Sequence, residues 1–199
     1  MYDLSEANGI VAPWTYPGGE EGIRINTFSN VDKIAFARVQ NSTDLVRMLL
    51  GLQAAYCNDV RFEKLLLPYC PYARQDRVAT RGDPSAMVWL GRMIKSSVND
   101  TPIEVFTYDL HSAVAKLGFE QSGVRLRSLS PIRHIRRFIK KVGLDAANKT
   151  VILIAPDKGA GDKTMEYARI LGVEWIQMEK VRDPGTGKLT GFKPVDAPL

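Results

Sequence analysis

Apolar and polar residues alternate with period two over residues 23–28 and again over 33–39. With Ser29, Asn30 and Asp32 between them, these runs predict two strands joined as a hairpin. Leu45, Met48, Leu49, Leu52 and Ala55 then recur at spacings of three and four, which predicts a helix over about residues 44–57, capped by Ser42 or Thr43. Residues 65–67 form a wholly apolar run stopped by Pro68, as expected of a short strand in a sheet covered on both faces. A polar, basic segment covers 72–83. Pro84 suits the first turn of a helix reaching about residue 98. Residues 103–107 read as a strand, followed by a short helix and a break near 123–130. Beyond it the pattern predicts a basic-faced helix over 132–142 with Gly143 as its C-cap. A buried strand over 151–155, a helix over 159–171 and a strand over 173–178 follow, with 189–193 a candidate for one more. Strands alternating with helices predict an α/β fold with parallel sheets, which place ligands at the C-terminal ends of their strands.

Length and composition narrow this picture. The chain has 199 residues, enough for one large domain or two small ones. Hydrophobic residues at 45% and charged residues at 25% exclude a disordered chain, and no sustained heptad supports a coiled coil. The longest apolar runs fall far short of the roughly 18–20 residues of a membrane span. The opening Met1-Tyr2-Asp3-Leu4-Ser5-Glu6 is unlike a signal peptide. Cys57 and Cys70 are too few for a disulfide scaffold and lack metal-ligand spacing, so both are expected to be reduced and buried, in a cytoplasmic protein away from membranes. The net charge of +5, from 27 Lys and Arg against 22 Asp and Glu, suits a phosphorylated small molecule, a nucleic acid or an ordinary solvated surface. Charge alone does not separate the three.

Three predicted strand ends carry chemistry. At the first, Pro68-Tyr69-Cys70-Pro71-Tyr72-Ala73-Arg74-Gln75-Asp76-Arg77 delivers guanidinium, amide, carboxylate and guanidinium in succession. Such an arginine stacks on a purine or forks onto a phosphate. The second, Asp109-Leu110-His111, sets a carboxylate beside an imidazole. Asp109 is suited to a hard divalent ion, directly or through water, and His111 to holding a water or acting as a ligand. Taken alone, the same pair reads equally as a helix-capping Asp and a packed His. The third, Ala155-Pro156-Asp157-Lys158-Gly159-Ala160-Gly161, opens a helix through small residues whose free N–H groups suit an anion. It has neither Walker A nor Rossmann spacing.

In order and spacing these segments together resemble the ribose-phosphate pyrophosphokinases, or phosphoribosyl-pyrophosphate synthetases. Pro84-Ser85-Ala86 resembles that family's helix start, Tyr16-Pro17-Gly18-Gly19-Glu20 its Phe-x-Asp/Asn-Gly-Glu element, and Lys180-Val181-Arg182 its Lys-x-Arg pair. The resemblance runs from about Tyr16 to Arg182. It implies phosphoribosyltransferase-like parallel sheets flanked by helices in two domains, over 1–128 and 129–199, the second truncated. It also implies transfer of the β,γ-diphosphoryl group of ATP to the 1-hydroxyl of ribose 5-phosphate, giving phosphoribosyl pyrophosphate and AMP. In that reading Arg74, Gln75 and Asp76 hold the adenine and ribose of ATP, and Glu20 approaches the adenine from a neighbouring subunit of a homo-oligomer. Mg²⁺ lies near Asp109 and His111, and Asp157 sits by the pentose and a second metal. Lys180 and Arg182 are the catalytic cations, carried on a mobile loop.

The chain also departs from that pattern. Little precedes Tyr16, Gly18 stands for Asp or Asn, Ala160 for Gly and Lys163 for Arg. The sequence contains no Asp-Asp followed by a Thr/Gly loop to cradle the 5-phosphate, so an ATP half and an incomplete ribose half are expected. A non-catalytic regulatory homologue that assembles with active subunits is the alternative. Nucleic-acid binding through Arg133, Arg136, Arg137, Lys140 and Lys141 is disfavoured, because no aromatic platform or reader module accompanies them.

Overall fold

The structure, a computed structural model, describes residues 1–5, 7–8, 10–26, 33–144 and 151–195. The chain divides into two compact units, Met1–Ser130 and Pro131–Leu199.

Unit 1 is built on a five-stranded sheet in the order β1-β4-β5-β6-β7, every neighbouring pair parallel. The strands are β1 (Tyr2–Asp3), β4 (Ile34–Phe36), β5 (Lys64–Leu67), β6 (Glu104–Tyr108) and β7 (Arg125–Leu129). The connecting helices are α1 (Ser42–Cys57), α2 (Ala86–Ser97) and α3 (Ala113–Glu120). Each crossover steps one strand in the same direction. Right-handed connections therefore lay the three helices on one face, with α2 packed between α1 and α3. Registered across that face, Ala35, Leu65, Val105 and Leu126 are fully buried. Phe36, Leu66 and Phe106 form the matching row on the other face and are half-buried. The apolar stripe expected of α1 is the buried one, through Leu45, Met48, Leu49, Leu52 and Ala55. Its cap is Asn41 rather than Ser42 or Thr43; the Asn41 carboxamide oxygen accepts from the Asp44 N–H at 2.9 Å.

The expected hairpin is not formed. β3 (Glu21–Ile25) pairs antiparallel with the earlier β2 (Val11–Thr15), across a turn closed by Gly19 N–H to Tyr16 O at 2.8 Å. β4 instead enters the parallel sheet. Alternation announces a half-buried strand but does not name its partner. The β2–β3 ribbon is fastened to α1 by Arg47, whose Nε donates to Glu21 at 2.5 Å and whose Nη2 donates to Thr15 Oγ1 at 3.1 Å. A strand, β7, also occupies the expected break near 123–130. Only Leu126 of Arg125–Leu129 is buried, so the sequence gives little apolar signal there.

Unit 2 carries a three-stranded sheet in the order β10-β9-β8. β8 (Ile152–Ala155) runs parallel to β9 (Glu174–Arg182), and β10 (Leu189–Pro194) runs antiparallel to it. Helices α4 (Ile132–Lys141) and α5 (Gly161–Leu171) pack on each other, and α5 touches both β8 and β9. Gly143 follows α4 in the left-handed region, at φ 72°, where glycine carries no steric cost. β8 is not the buried strand expected. Ala155 is fully buried, but Ile152 and Ile154 are 46% and 55% exposed, because α5 covers only one face of the sheet. Cys57 also differs from expectation, lying exposed at the end of α1 while Cys70 is buried. Burial pushes the Cys70 thiol up to about 12.

Gly91 lets α2 approach the end of α3 closely. A methyl group there would lie 2.7 Å from Ser122 Cβ and 3.0 Å from the Phe119 carbonyl oxygen. Gly91→Ala should therefore cost about 1–3 kcal/mol in overpacking, partly offset by the roughly 1 kcal/mol that alanine gains in helix propensity, leaving unit 1 less stable by up to about 2 kcal/mol. Urea unfolding reads this directly, and a raised midpoint would show that α3 yields without cost.

Candidate functional site

β5 and β6 end side by side, with Leu67 registered against Thr107. Both chains therefore leave the sheet at one edge, and Tyr108 N–H reaches back to Pro68 O at 3.3 Å. The exit from β5 is anchored by the buried Cys70, Pro71 and Ala73. Tyr72 turns there through φ 61°, and its carbonyl accepts from Gln75 N–H at 2.8 Å. Its ring meets Trp89 of α2 edge-on, with centroids 5.5 Å apart. Past this anchor Arg74 and Gln75 are exposed. With Asp76, Arg77, Ala79 and Asp83 they wall an open cleft of about 530 Å³.

The exit from β6 is equally constrained. Asp109 sits in the left-handed region at φ 49°, which short polar side chains tolerate. Its N–H donates to Leu129 O at 3.0 Å, and the next N–H, of Leu110, donates to Ser128 Oγ at 3.0 Å. The strand missed in the sequence thus fixes the Asp109-Leu110-His111 turn. Both Asp109 and His111 are exposed.

Asp76 joins the two exits. Its carboxylate accepts from Arg77 Nε at 2.8 Å and Nη2 at 3.0 Å, and from Ser112 Oγ at 2.6 Å. The Arg77 and Ser112 hydrogen bonds hold the carboxyl down at about 2, and the charge of nearby His111 favours the same direction. Ser112 was not singled out in the sequence. Its position one residue before Ala113 is the N-cap signal that would have found it.

A second cleft, of about 590 Å³, lies at the opposite ends of the strands, among Glu63, Lys95, Asp100, Glu104 and Arg125. Its charged groups are spent on one another: Glu104 accepts from Arg125 and Arg127, Lys33 pairs with Glu63, and Lys95 lies 3.6 Å from Asp100. The edge carrying Arg74 and His111 is the stronger candidate, because its groups face solvent at the C-terminal strand ends.

In the N-terminal ribbon Glu20 is exposed, and its carboxylate folds over Gly18, 2.6 Å from where a Cβ would be.

In unit 2, Asp157 lies two residues beyond the end of β8. Its Oδ1 accepts from Ala160 N–H at 3.2 Å, ahead of α5, and its Oδ2 accepts from Lys180 Nζ at 2.5 Å. The Lys180 hydrogen bond is the main cause holding this carboxyl below the usual range. Lys180 and Arg182 do not sit on a loop. Both lie in β9, two residues apart and hence on one face, because β10 supplies hydrogen-bonding partners through Arg182. Arg182 Nη1 also donates to Gly187 O at 3.0 Å across the turn.

Two units, each a sheet with helices packed on it and charged residues beyond its strand ends, define an α/β protein. No family model matches the chain. Individual proteins do. The chain is 26% identical over 171 residues to ribose-phosphate pyrophosphokinase 2 of Archaeoglobus fulgidus, covering 86% of this chain and 55% of that protein. It is 31% identical over 187 residues to the ribose-phosphate pyrophosphokinase of Pyrococcus abyssi, covering 91% and 59%. The phosphoribosylpyrophosphate synthetase of Mycobacterium smegmatis shares the fold, with a TM-score of 0.66 at 18% identity over 91% of this chain and 58% of that one. The chain is thus similar to ribose-phosphate pyrophosphokinases along most of its length, and spans a little over half the length of these relatives.

A folded Asp76 that titrates near 2, against about 3.9 in an unfolded chain, stabilises the fold fully above about pH 4 and loses that contribution as pH falls towards 2. Melting followed from about pH 6 to about pH 2 should fall less steeply in Asp76→Asn than in the wild type. Parallel curves would show that the carboxylate is not linked to folding.

Proposed function

We propose that the chain binds Mg-ATP for diphosphoryl transfer to the 1-hydroxyl of ribose 5-phosphate, giving phosphoribosyl pyrophosphate and AMP. The observation that carries this reading is the emergence of the Arg74–Gln75 segment and the Asp109–His111 turn from adjacent parallel strands at one sheet edge. Arg74 and Gln75 offer a planar cation and an amide to adenine and phosphate. Glu20, on the exposed β2–β3 turn, is suited to reach the adenine of a neighbouring copy, which makes the protein a homo-oligomer. Lys180 and Arg182 supply positive charge as it develops on the transferring oxygens. Asp157 orients Lys180, and with its backbone turn it lies where a pentose hydroxyl or second metal would be met.

Among the described residues no group of three or more His, Cys, Asp and Glu side chains is arranged to hold a metal ion. Magnesium takes one or two carboxylates and completes its shell with water and phosphate oxygens. Asp109 would supply such a carboxylate and His111 would hold a water. When bound with the triphosphate, the ion neutralises phosphate charge.

A second reading is favoured by the Lys180 ion pair, which leaves the ammonium balanced by Asp157. In it the chain is a non-catalytic regulatory homologue that assembles with active subunits. Two measurements separate these readings. Calorimetric titration with Mg-ATP should show binding that weakens about 10–100-fold in Arg74→Ala, the range expected for loss of a charge-assisted contact. AMP release with ribose 5-phosphate should fall about 100-fold in Lys180→Ala with ATP affinity kept, as for a group acting in the transition state. ATP binding without AMP release supports the regulatory reading, and failure to bind ATP overturns the catalytic one. Light scattering at micromolar chain concentration should report an oligomer; a strict monomer removes the role given to Glu20.

A further inference from the structure

Asp76 lies in the most chemically dense stretch of the sequence, yet its side chain is turned inward and is only 8% exposed. Both oxygens are engaged: Oδ1 accepts from Arg77 Nε, and Oδ2 accepts from Arg77 Nη2 and Ser112 Oγ. The Ser112 hydroxyl has one proton. It gives that proton to Asp76, and its lone pair accepts from Ala115 N–H at 3.0 Å to cap α3. One serine therefore ties a carboxylate 36 residues earlier in the chain to the start of a helix.

We infer that Asp76 is a positioning residue. Through Ser112 it locks the loop bearing Arg74 and Gln75 to the turn bearing Asp109 and His111, so that both segments are set before nucleotide arrives. The inference rests on the ATP-binding reading of those two segments. A direct contact with the adenine or ribose of ATP would have to reach a side chain that is only 8% exposed and already accepts three hydrogen bonds. The turn it braces is also pinned from the β7 side, by Leu129 O and Ser128 Oγ. Asp109 within that turn holds a left-handed backbone that persists only when its surroundings fix it. The Asp76 link adds a side-chain hold from the β5 side, next to His111.

The test combines hydrogen exchange without nucleotide and ATP titration, on the wild type, Ser112→Ala, Ser112→Thr, Asp76→Asn and the Ser112→Ala/Asp76→Asn double variant. Ser112→Ala should speed amide exchange over residues 72–77, remote from the helix it caps. Asp76→Asn should speed exchange over 109–112 although the cap on α3 is intact. Each should raise the ATP dissociation constant about tenfold, the double variant should do no more than either single one, and Ser112→Thr, which keeps donor and cap, should behave as the wild type. A merely structural cap would lower the melting temperature and leave exchange over 72–77 and ATP affinity unchanged, which overturns the inference. Losses in ATP affinity that add in the double variant overturn it in favour of direct contact. If the wild type binds no ATP, the nucleotide reading fails, and the exchange data alone decide whether the brace exists.

Discussion

The parallel pairing of β5 with β6 governs the candidate site. With Leu65 opposite Val105 and Leu67 opposite Thr107, the apolar pattern of both strands fixes the register. A slip of one residue would turn these buried side chains to the other face. The same register brings Pro68 and Asp109 off the sheet together. Proline has no N–H to donate, so the ladder ends there, although its carbonyl still accepts from Tyr108. Everything beyond that edge is loop, and each loop is held by a few specific contacts.

Those contacts are largely electrostatic and internal. Asp76 is shared between Arg77 and Ser112, and Asp157 faces Lys180. The Asp157–Lys180 pair, more than a third exposed, contributes little to stability, whereas the Asp76 carboxylate is largely shielded. Their effect is directional: they decide which polar groups point inward and which, like Arg74 and Gln75, are left facing solvent. The same reasoning sets aside the cleft at the opposite strand ends, where the carboxylates and cations answer one another.

Legibility in the sequence followed locality. The apolar stripe of α1 and the run at β5 were readable because each buries a face whose period is written within a few residues. β7 was not, since arginines flank its single buried leucine and its stability comes from pairing with β6. β9 was expected to stop at Met178, where charged residues begin, but β10 continues the ladder through Arg182. That continuation moves Lys180 and Arg182 from a loop onto a strand. Ile152 and Ile154 read as core because apolar residues usually are; only the helix placement in unit 2 shows that one face of β8 is uncovered.

By itself the sequence determined an α/β chain, the segments that carry chemistry, and a resemblance to ribose-phosphate pyrophosphokinases that the compared proteins bear out. Residue type and short-range period are local properties, and they survive without coordinates. What each charged group touches was decided by the tertiary structure alone. Asp76 finds Ser112 across 36 residues and Asp157 finds Lys180 across 23, and nothing local encodes such partners. They arise because strand register and crossover geometry bring distant chain exits to one edge, where a carboxylate takes the nearest donors that fit it.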